Sequence, residues 1–249
     1  MTHVETLTLI AGGAIAGAIN TLAGGASSIT VPLLVLLGLP GNVANGTNRA
    51  GVFVQSLWAA MRFRAEGVPG FRDSVPILIP TALGSAVGAL GISSVADETF
   101  ERLFGIVMVL LLVPIVGGPR LGLTGTARSR RPLPRFASFV VFFLIGAFGG
   151  AFQAGVGLLL IIALAYAGHD LVHANSIKVV VNTVLTLVAL PIFVFRDQVA
   201  WYPALVLTVG FVIGSTFGVR LAVRGGEEVI RPVLALAVLI LAGKMVGLY

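Results

Sequence analysis

Two basic residues, Arg49 and Lys178, stand near the start of long apolar segments, where they could bind an anion. Neutral amide and hydroxyl side chains accompany both bases: Asn45, Thr47 and Asn48 beside the first, and Asn175, Ser176 and Asn182 beside the second. Such groups offer oriented hydrogen-bond donors without adding net charge. All ten acidic residues fall in predicted loops or at predicted helix ends, so no carboxylate is available to pair with either base inside a membrane.

The depth of the two bases leaves two interpretations open. A charge at the centre of a bilayer costs at least ~2.5–3.5 kcal/mol, and an anionic substrate would offset that cost. Arg49 lies six residues into a helix expected to begin near Val43, which is about 9 Å along the helix axis. From such a depth a long basic side chain can instead snorkel to the membrane interface.

Glycine-rich breaks precede both bases. In GGASSIT, Gly24 and Gly25 interrupt an apolar segment, and a short helix is expected to begin with Ser27 or Ser28 as its N-cap. The free N–H groups of a helix N-terminus bind anions, helped by the helix dipole. The second half has a similar break without hydroxyls: Gln153, Gly155 and Gly157. The alternative is a bend that serves packing alone.

The candidate substrate-binding set combines the bases, their polar neighbours and the two breaks. Its members are Asn20, Gly24, Gly25, Ser27, Ser28, Asn45, Thr47, Asn48, Arg49, Gln153, Gly155, Gly157, Asn175, Ser176 and Lys178. No catalytic residue, metal or cofactor is predicted, and an enzyme is disfavoured. The chain has no cysteine and lacks the Gly-Lys-Ser/Thr of a phosphate-binding loop. His169 and His173 have no evident third ligand, which favours an interfacial loop over a metal site.

Composition indicates the environment of these residues. The chain of 249 residues is 57% hydrophobic and 10% charged, whereas soluble domains carry about 25% charged residues. Several apolar runs reach the roughly 20 residues that cross a bilayer as a helix. The sequence therefore predicts an all-α, polytopic membrane protein, with the lipid bilayer as its partner. The net charge of +6 is concentrated in connections between these runs, which argues against a nucleic-acid partner.

The chain repeats itself at an offset near 130 residues. The first copy reads AGAINTLAGGASSITVPLLVLLGLPGNVANGTNRAG, and the second reads GGAFQAGVGLLLIIALAYAGHDLVHANSIKVVV. In each copy an amide side chain precedes glycines, an apolar run, a polar turn, an Ala-Asn pair and a base. This order predicts a first transmembrane repeat at 1–118, a basic linker at 119–135 and a second repeat at 136–249.

Charge predicts the orientation of the repeats. The linker PRLGLTGTARSRRPLPR carries five arginines and no acid, which places it in the cytoplasm by the positive-inside rule. Every other base-rich connection is then cytoplasmic if each repeat begins with a re-entrant or broken helical hairpin, followed by three transmembrane helices. The two repeats would be inverted, as in many secondary transporters. The alternative is that segments 7–23 and 27–39 each cross the membrane fully.

Glycines four residues apart predict close helix packing. The pairs are Gly13/Gly17, Gly84/Gly88, Gly146/Gly150, Gly210/Gly214 and Gly214/Gly218. Small residues at this spacing let two helix backbones approach each other inside a membrane. These pairs are therefore interpreted as packing seams rather than as parts of a binding site.

The hairpin LAGGASSITVPLLVLLGLP, the segment VANGTNRAGVFVQSLWAAMRF and a weaker echo from Gly146 to Val199 resemble the TauE/SafE family of sulfite exporters. The resemblance covers both repeats, and its most specific part is the glycine–Pro–Leu-Leu hairpin followed by Ala-x-x-Thr. It implies a bacterial or archaeal inner-membrane permease for small sulfur-containing or organic anions, such as sulfite, thiosulfate or sulfoacetate. The second repeat departs from the first, with Val-Gly-Leu at 156–158 where the first has Ala-Ser-Ser at 26–28.

Together these features predict a secondary transporter or facilitator that moves a small anion across the cytoplasmic membrane. The alternative is a non-transporting assembly or regulatory protein, whose polar intramembrane residues hold helices together. The sequence leaves open the anion, the direction of transport, proton coupling and the oligomeric state, a homo-oligomer included.

Overall fold

The computed structural model describes residues 1–110 and 134–245, which form nine α-helices and, within these residues, no β-strand. The helices are α1 His3–Leu22, α2 Ser27–Leu36, α3 Gly41–Ala65, α4 Phe71–Ile92, α5 Asp97–Leu110, α6 Arg135–Phe152, α7 Val156–Tyr166, α8 Leu171–Phe195 and α9 Trp201–Met245. α9 is kinked at Gly226, whose φ is 55°. The linker predicted at 119–135 lies outside the described residues except for positions 134 and 135.

The prediction of an all-α membrane protein is confirmed. Five helices are long and apolar enough to cross a bilayer, namely α1, α4, α6, α8 and the Trp201–Gly226 part of α9. α2 and α7 are shorter apolar helices. Large apolar side chains point outward from α4 and α9, among them Ile79, Leu83 and Val209. An apolar exterior of this kind suits contact with lipid rather than water.

Each described half begins with a broken helical hairpin. Four residues separate the end of α1 at Leu22 from the start of α2 at Ser27, because Gly24 and Gly25 adopt φ angles of 77° and 93°. Only glycine adopts such angles readily. In the second half α6 and α7 are separated by 153–155, where Gln153 has φ 60° and Gly155 has φ 73°. The predicted helix breaks are therefore present in both halves.

The long helices form two sets that run in opposite directions. α3 and α9 are parallel, because Thr47 lies beside Ala200 and Trp58 lies beside Thr216. α4 and α8 are parallel by the same criterion, through the pairs Asp73–His173 and Ser85–Leu185. α3 and α8 are antiparallel: Gly46 approaches Phe193 near the start of α3, and Ser56 bonds Asn182 further along it.

Glycine seams fix the hairpins to the helices beside them. A Cβ on Gly13 or Gly17 of α1 would collide with backbone atoms of α9, at Leu207 and Phe211 respectively. α6 packs against α4 in the same way, with Gly146 against Thr81 and Gly150 against Ser85. The predicted packing seams are confirmed for all five pairs: Gly13/Gly17, Gly84/Gly88, Gly146/Gly150, Gly210/Gly214 and Gly214/Gly218. The first helix of each half thus packs against a long helix of the other half.

Candidate functional site

Arg49 reaches from α3 to the end of α6. Its Nη1 donates hydrogen bonds to Gly149 O and Gln153 Oε1, both at 3.1 Å. Its Nη2 donates to Gly150 O at 2.6 Å and to Ala151 O at 2.9 Å. The last carbonyl groups of a helix have no partner within the helix and carry a partial negative charge. The guanidinium of the first half therefore caps a helix of the second half.

Lys178 makes the reciprocal connection from α8 to the end of α1. Its Nζ donates to Asn20 O at 2.7 Å, to Thr21 O at 2.9 Å and to Asn175 Oδ1 at 2.6 Å. Asn175 in turn donates from Nδ2 to Leu22 O at 3.1 Å. The ammonium and its neighbouring amide thus satisfy three carbonyl groups where α1 stops.

Both bases are buried within the protein, with Arg49 0% and Lys178 2% exposed. α3 begins at Gly41 rather than near Val43, so Arg49 lies eight residues, or about 12 Å, into its helix. The Arg49 guanidinium also lies over the ring of Phe193, with Cζ 4.5 Å from the ring centroid. The snorkelling alternative is wrong for both bases, because their charged groups bond to the protein interior. In the part of the chain that the structure describes, neither base forms an ion pair with a carboxylate.

The two breaks touch each other. A Cβ on Gly24 would lie 2.5 Å from the carbonyl carbon of Gly157, and one on Gly157 would lie 2.8 Å from Gly24 Cα. Gly25 faces Gly155 at a looser distance, since its Cβ would lie 4.0 Å from Gly155 Cα. The stem of Lys178 passes the same place, with its Cδ 3.3 Å from a Cβ built on Gly157. The break of each half therefore meets the break of the other around a lysine.

The hydroxyls of the first break do not act as helix caps. α2 begins at Ser27 with Ala26 at the N-cap position and without a side-chain cap, so the predicted N-cap role of Ser27 or Ser28 is wrong. Ser28 instead donates its hydroxyl hydrogen back to Gly25 O. Ser27 accepts a hydrogen bond of 2.8 Å from Asn48 Nδ2. The two serines thus fix the break to itself and to α3.

Asn45 lies one helical turn before Arg49 and binds the same helix end. Its Nδ2 donates to Ala151 O at 2.9 Å, an oxygen that Arg49 also contacts. The remaining polar atoms of this pair, Asn45 Oδ1 and Arg49 Nε, are buried without a hydrogen-bond partner. Buried polar atoms without a partner are uncommon in proteins, which makes the donor of this pair, Arg49 Nε, a candidate contact for a ligand.

Gln153 joins the two halves from the second break. Its Oε1 accepts from Arg49, and its Nε2 donates to Asn182 Oδ1 at 2.9 Å and to Thr186 Oγ1 at 3.3 Å. Asn182 then donates to Ser56 Oγ on α3 at 2.8 Å. The positive φ of Gln153 costs a non-glycine residue of order 1–3 kcal/mol, and its bonding network holds it there.

Two of the candidate residues lie elsewhere. Thr47 accepts a hydrogen bond from Ala200 N at 2.9 Å, ahead of α9. Ser176 donates to Val68 O, ahead of α4. They bind equivalent connecting segments in the two halves. The residues that the structure gathers around the breaks are Asn20, Gly24, Gly25, Ser27, Ser28, Asn45, Asn48, Arg49, Gln153, Gly155, Gly157, Asn175 and Lys178.

Several buried polar residues of the site were absent from the candidate set. They are Thr21, Thr30, Gln55, Ser56, Asn182 and Thr186. Gln55, for example, accepts from Asn20 Nδ2 at 2.6 Å and donates to Thr21 Oγ1 at 3.2 Å. Helical spacing is the signal that could have found them: Gln55 follows Asn48 by seven residues, and Thr186 follows Asn182 by four.

A histidine cluster lies at the start of α8 rather than at the breaks. His173 Nε2 is 2.6 Å from Asp73 Oδ2, and the rings of His169 and His173 lie 5.4 Å apart. Burial lowers the pKa of His169, and the charge of His173 lowers it further, whereas Asp73 and Asp170 oppose the shift. No group of three His, Cys, Asp or Glu side chains suited to a metal ion occurs among residues 1–110 and 134–245.

Comparison with known proteins places this geometry in context. The profile of the family described as "Sulfite exporter TauE/SafE" matches residues 9–245. A "Probable membrane transporter protein" of Haemophilus influenzae is 28% identical and covers 94% of this chain and 91% of its own length. "Probable membrane transporter protein YfcA" of Escherichia coli K12 is 25% identical, covering 93% of this chain and 86% of its own. No solved structure matches the chain significantly.

Proposed function

The chain belongs to the sulfite exporter TauE/SafE family, and we propose that it is a secondary transporter or facilitator that moves a small anion across the cytoplasmic membrane. Family membership and the similarity to probable membrane transporters support a multi-pass membrane transporter. The substrate class that we propose is a small sulfur-containing or organic anion, such as sulfite, thiosulfate or sulfoacetate. Neither an enzymatic activity nor a cofactor is part of this proposal.

Uncompensated positive charge at the meeting point of the breaks carries the proposal. Each break contains one helix C-terminus, with about half a negative charge, and one helix N-terminus, with about half a positive charge. These partial charges roughly cancel within each break. Arg49 and Lys178 then leave a net of about two positive charges in a buried region where neither base pairs with a carboxylate among the described residues. Such a region attracts an anion.

The proposed substrate contacts come from both halves. Backbone N–H groups at the start of α7 lack partners within that helix and lie where Gly24 meets Gly157. At the start of α2, Ser28 N and Ile29 N already donate to Gly25 O and Ala26 O. Arg49 Nε adds a buried, unpartnered donor. We assign the remaining contacts to the neutral polar side chains of Asn20, Ser27, Asn48, Gln153 and Asn175. Thr47 and Ser176 are assigned to positioning α9 and α4, since their hydroxyls bond the segments that precede those helices.

Two halves of opposite orientation would fit an alternating-access mechanism of transport. We propose that residues 1–118 and 136–249 are inverted repeats, that the hairpins enter from opposite faces, and that the linker 119–135 is cytoplasmic. The antiparallel run of α3 and α8 and the reciprocal packing of α1 on α9 and of α6 on α4 support this arrangement. Rocking of one bundle against the other would then expose the contact between the breaks to each face in turn.

The direct test is anion flux into proteoliposomes. Purified protein should move sulfite or thiosulfate, and the double variant Arg49→Ala/Lys178→Ala should lose that flux because the central charge is removed. Arg64→Ala is the matched control, since it removes an exposed arginine from the same helix as Arg49. Flux that is unchanged in the double variant would contradict the proposed site.

A second candidate function is a membrane assembly or regulatory protein without transport. The observation in its favour is that most polar side chains at the breaks bond to one another or to helix ends, as helix–helix contacts do. Thermal unfolding in the presence of anions discriminates between the two functions. A transporter should be stabilised by its ligand, by about 2.7 kcal/mol at a concentration of 100 Kd, whereas an assembly protein should show no shift with any anion.

A further inference from the structure

The two buried bases differ in one chemical respect that their positions make relevant. Arginine keeps its proton under all physiological conditions, whereas a buried lysine can release one. Arg49 therefore brings a permanent charge to the breaks, and Lys178 brings a charge that can be switched. Both are buried, yet only Lys178 lies against the contact between Gly24 and Gly157.

The number of hydrogen bonds that Lys178 can donate depends on whether its amino group is protonated. The ammonium has three N–H donors, which match its three acceptors, Asn20 O, Thr21 O and Asn175 Oδ1. A neutral amine has two N–H donors, so one of these acceptors would lose its hydrogen bond. Because two acceptors are the last carbonyls of α1, loss of the proton would weaken the link between α8 and the first hairpin.

Among the residues that the structure describes, no carboxylate pairs with Lys178. α1 and α7 approach it through the backbone of Asn20, Thr21 and Gly157. α3 contributes the buried Arg49, and at the start of α4 Asp73 is already paired with His173. Among the described side chains, the other titratable or charged groups on the helices packed around α8 are at least partly exposed: His3, Glu5, Arg62, Arg64, Arg72, Arg135, Tyr166, Tyr202, Arg220, Arg224 and Glu228. A bound anion would supply the missing negative charge.

Resting on the anion transport proposed above, we propose that Lys178 is the proton-binding residue that couples anion movement to proton movement. On one face, the neutral amine takes a proton from water and the anion binds beside the resulting ammonium. After the change of access, the anion leaves and the ammonium returns its proton to water on the other face. One proton and one anion therefore move in the same direction, and the empty carrier returns with a neutral lysine.

The test uses the whole protein in proteoliposomes with a pH-sensitive dye inside and the membrane voltage clamped. Thiosulfate is the first probe, because its own protonation does not change near neutral pH. An inward thiosulfate gradient should drive proton uptake through the wild-type protein, and an acidic exterior should increase thiosulfate accumulation. Lys178→Arg, whose charge is fixed, and Lys178→Gln, which is fixed in the neutral state, should both lose proton uptake and the stimulation by the pH gradient.

Separate arms distinguish the two proposals. Exchange of labelled thiosulfate, or of labelled sulfite, for the same unlabelled anion at equal pH needs no net proton movement, so the absence of both exchanges in the wild type would contradict anion transport itself. Counterflow without proton uptake would overturn the coupling alone. Arg64→Lys is the control and should keep the wild-type ratio of protons to anions.

The assignment to Lys178 would be overturned if either lysine variant kept the wild-type ratio of protons to anions. If a variant binds thiosulfate but does not transport it, the thermal shift with thiosulfate still tests the assignment to Lys178. It should vary with pH in the wild type and be independent of pH in both variants.

Discussion

The two helix breaks perform the same structural task with different residues. The first uses two glycines with positive φ and two serines, and it is held by Lys178 from the other half. The second uses Gln153 and Gly155, has no hydroxyl, and is held by Arg49. One break is thus bonded to a base that can lose its proton, and the other to a base that cannot.

The seams beside the breaks show how far the resemblance between the halves extends. Gly84 and Gly88 of α4 approach α6 at Phe143 and Ala147, and Gly210 and Gly214 of α9 approach α1 at Ile10 and Ala14. Those partners occupy equivalent positions, as do the glycines themselves. The packing scaffold is therefore duplicated closely, whereas the polar chemistry of the breaks has diverged. The two breaks can therefore differ in their polar residues while the helices beside them pack alike.

The largest effect should come from removing the caps of the breaks. Arg49→Ala removes four hydrogen bonds, although Asn45 still donates to Ala151 O and Gln153 N still donates to Gly149 O. It should lower the free energy of unfolding by roughly 3–5 kcal/mol, while Lys178→Ala should cost about 2–3 kcal/mol. Thermal unfolding in detergent measures the difference, and Arg64→Ala should stay within about 0.5 kcal/mol of wild type. Equal losses in the two variants would show that the two bases stabilise the breaks equally, and a larger loss for Lys178→Ala would reverse the expected order.

The contact between the breaks can be isolated by two adjacent glycines. Gly24→Ala and Gly25→Ala both place a side chain at positive φ, which costs about 1–2 kcal/mol. Only Gly24→Ala also collides with Gly157, so it should lose a further 1–3 kcal/mol or so together with anion flux. Unfolding and anion flux measured side by side on the two variants test this difference. Indistinguishable variants would mean that the close approach of the breaks contributes nothing.

Equivalent seams should respond equally. Gly88→Ala and Gly214→Ala each place a Cβ on a backbone carbonyl, of Ala147 and Ala14 respectively, and each should destabilise by about 1–3 kcal/mol. Gly91→Ala is the control, because nothing lies within 4 Å of a Cβ at that position in α4. Unfolding midpoints that differ widely between the two seam variants would break the equivalence of the halves.

The smallest effect concerns the strained backbone of the second break. Gln153→Gly removes the side-chain bonds but relieves the positive φ, whereas Gln153→Ala removes the bonds and keeps the strain. The alanine variant should therefore be less stable than the glycine variant by about 1 kcal/mol. Denaturant titration of the two proteins measures this difference. A glycine variant no more stable than the alanine variant would argue that the backbone at Gln153 is unstrained.

Local sequence signals predicted the elements of the fold. The glycines of both breaks and the spacing of the glycine seams are short-range patterns, and the structure confirms both. The prediction that Ser27 or Ser28 forms an N-cap was wrong, because the two hydroxyls bond Asn48 and Gly25 instead of the helix end. A sequence shows which side chains can cap a helix, but not which long-range partner will compete for them.

The partners of the bases could not be predicted from the sequence. Arg49 binds carbonyl groups about 100 residues later, and Lys178 binds carbonyl groups more than 150 residues earlier. Every residue type carries a backbone carbonyl, so the sequence does not mark which carbonyl groups accept from a base. Because the apolar segments contain no carboxylate, the sequence indicated only a bound anion as a partner. In the structure the carbonyl groups at two helix ends accept hydrogen bonds from the two bases. Neither base forms an ion pair with a carboxylate of the described residues.

The reciprocal caps also bear on how the chain is made. Arg49 is synthesised about 100 residues before the carbonyl groups that receive it, so the first half enters the membrane with an uncompensated guanidinium. On insertion scales that charge costs about 2.5–3.5 kcal/mol. Completion of the second half supplies the missing acceptors, and Lys178 then secures the end of α1. Each half should therefore depend on the other for its stability, and neither half expressed alone should reach a stable membrane-embedded form.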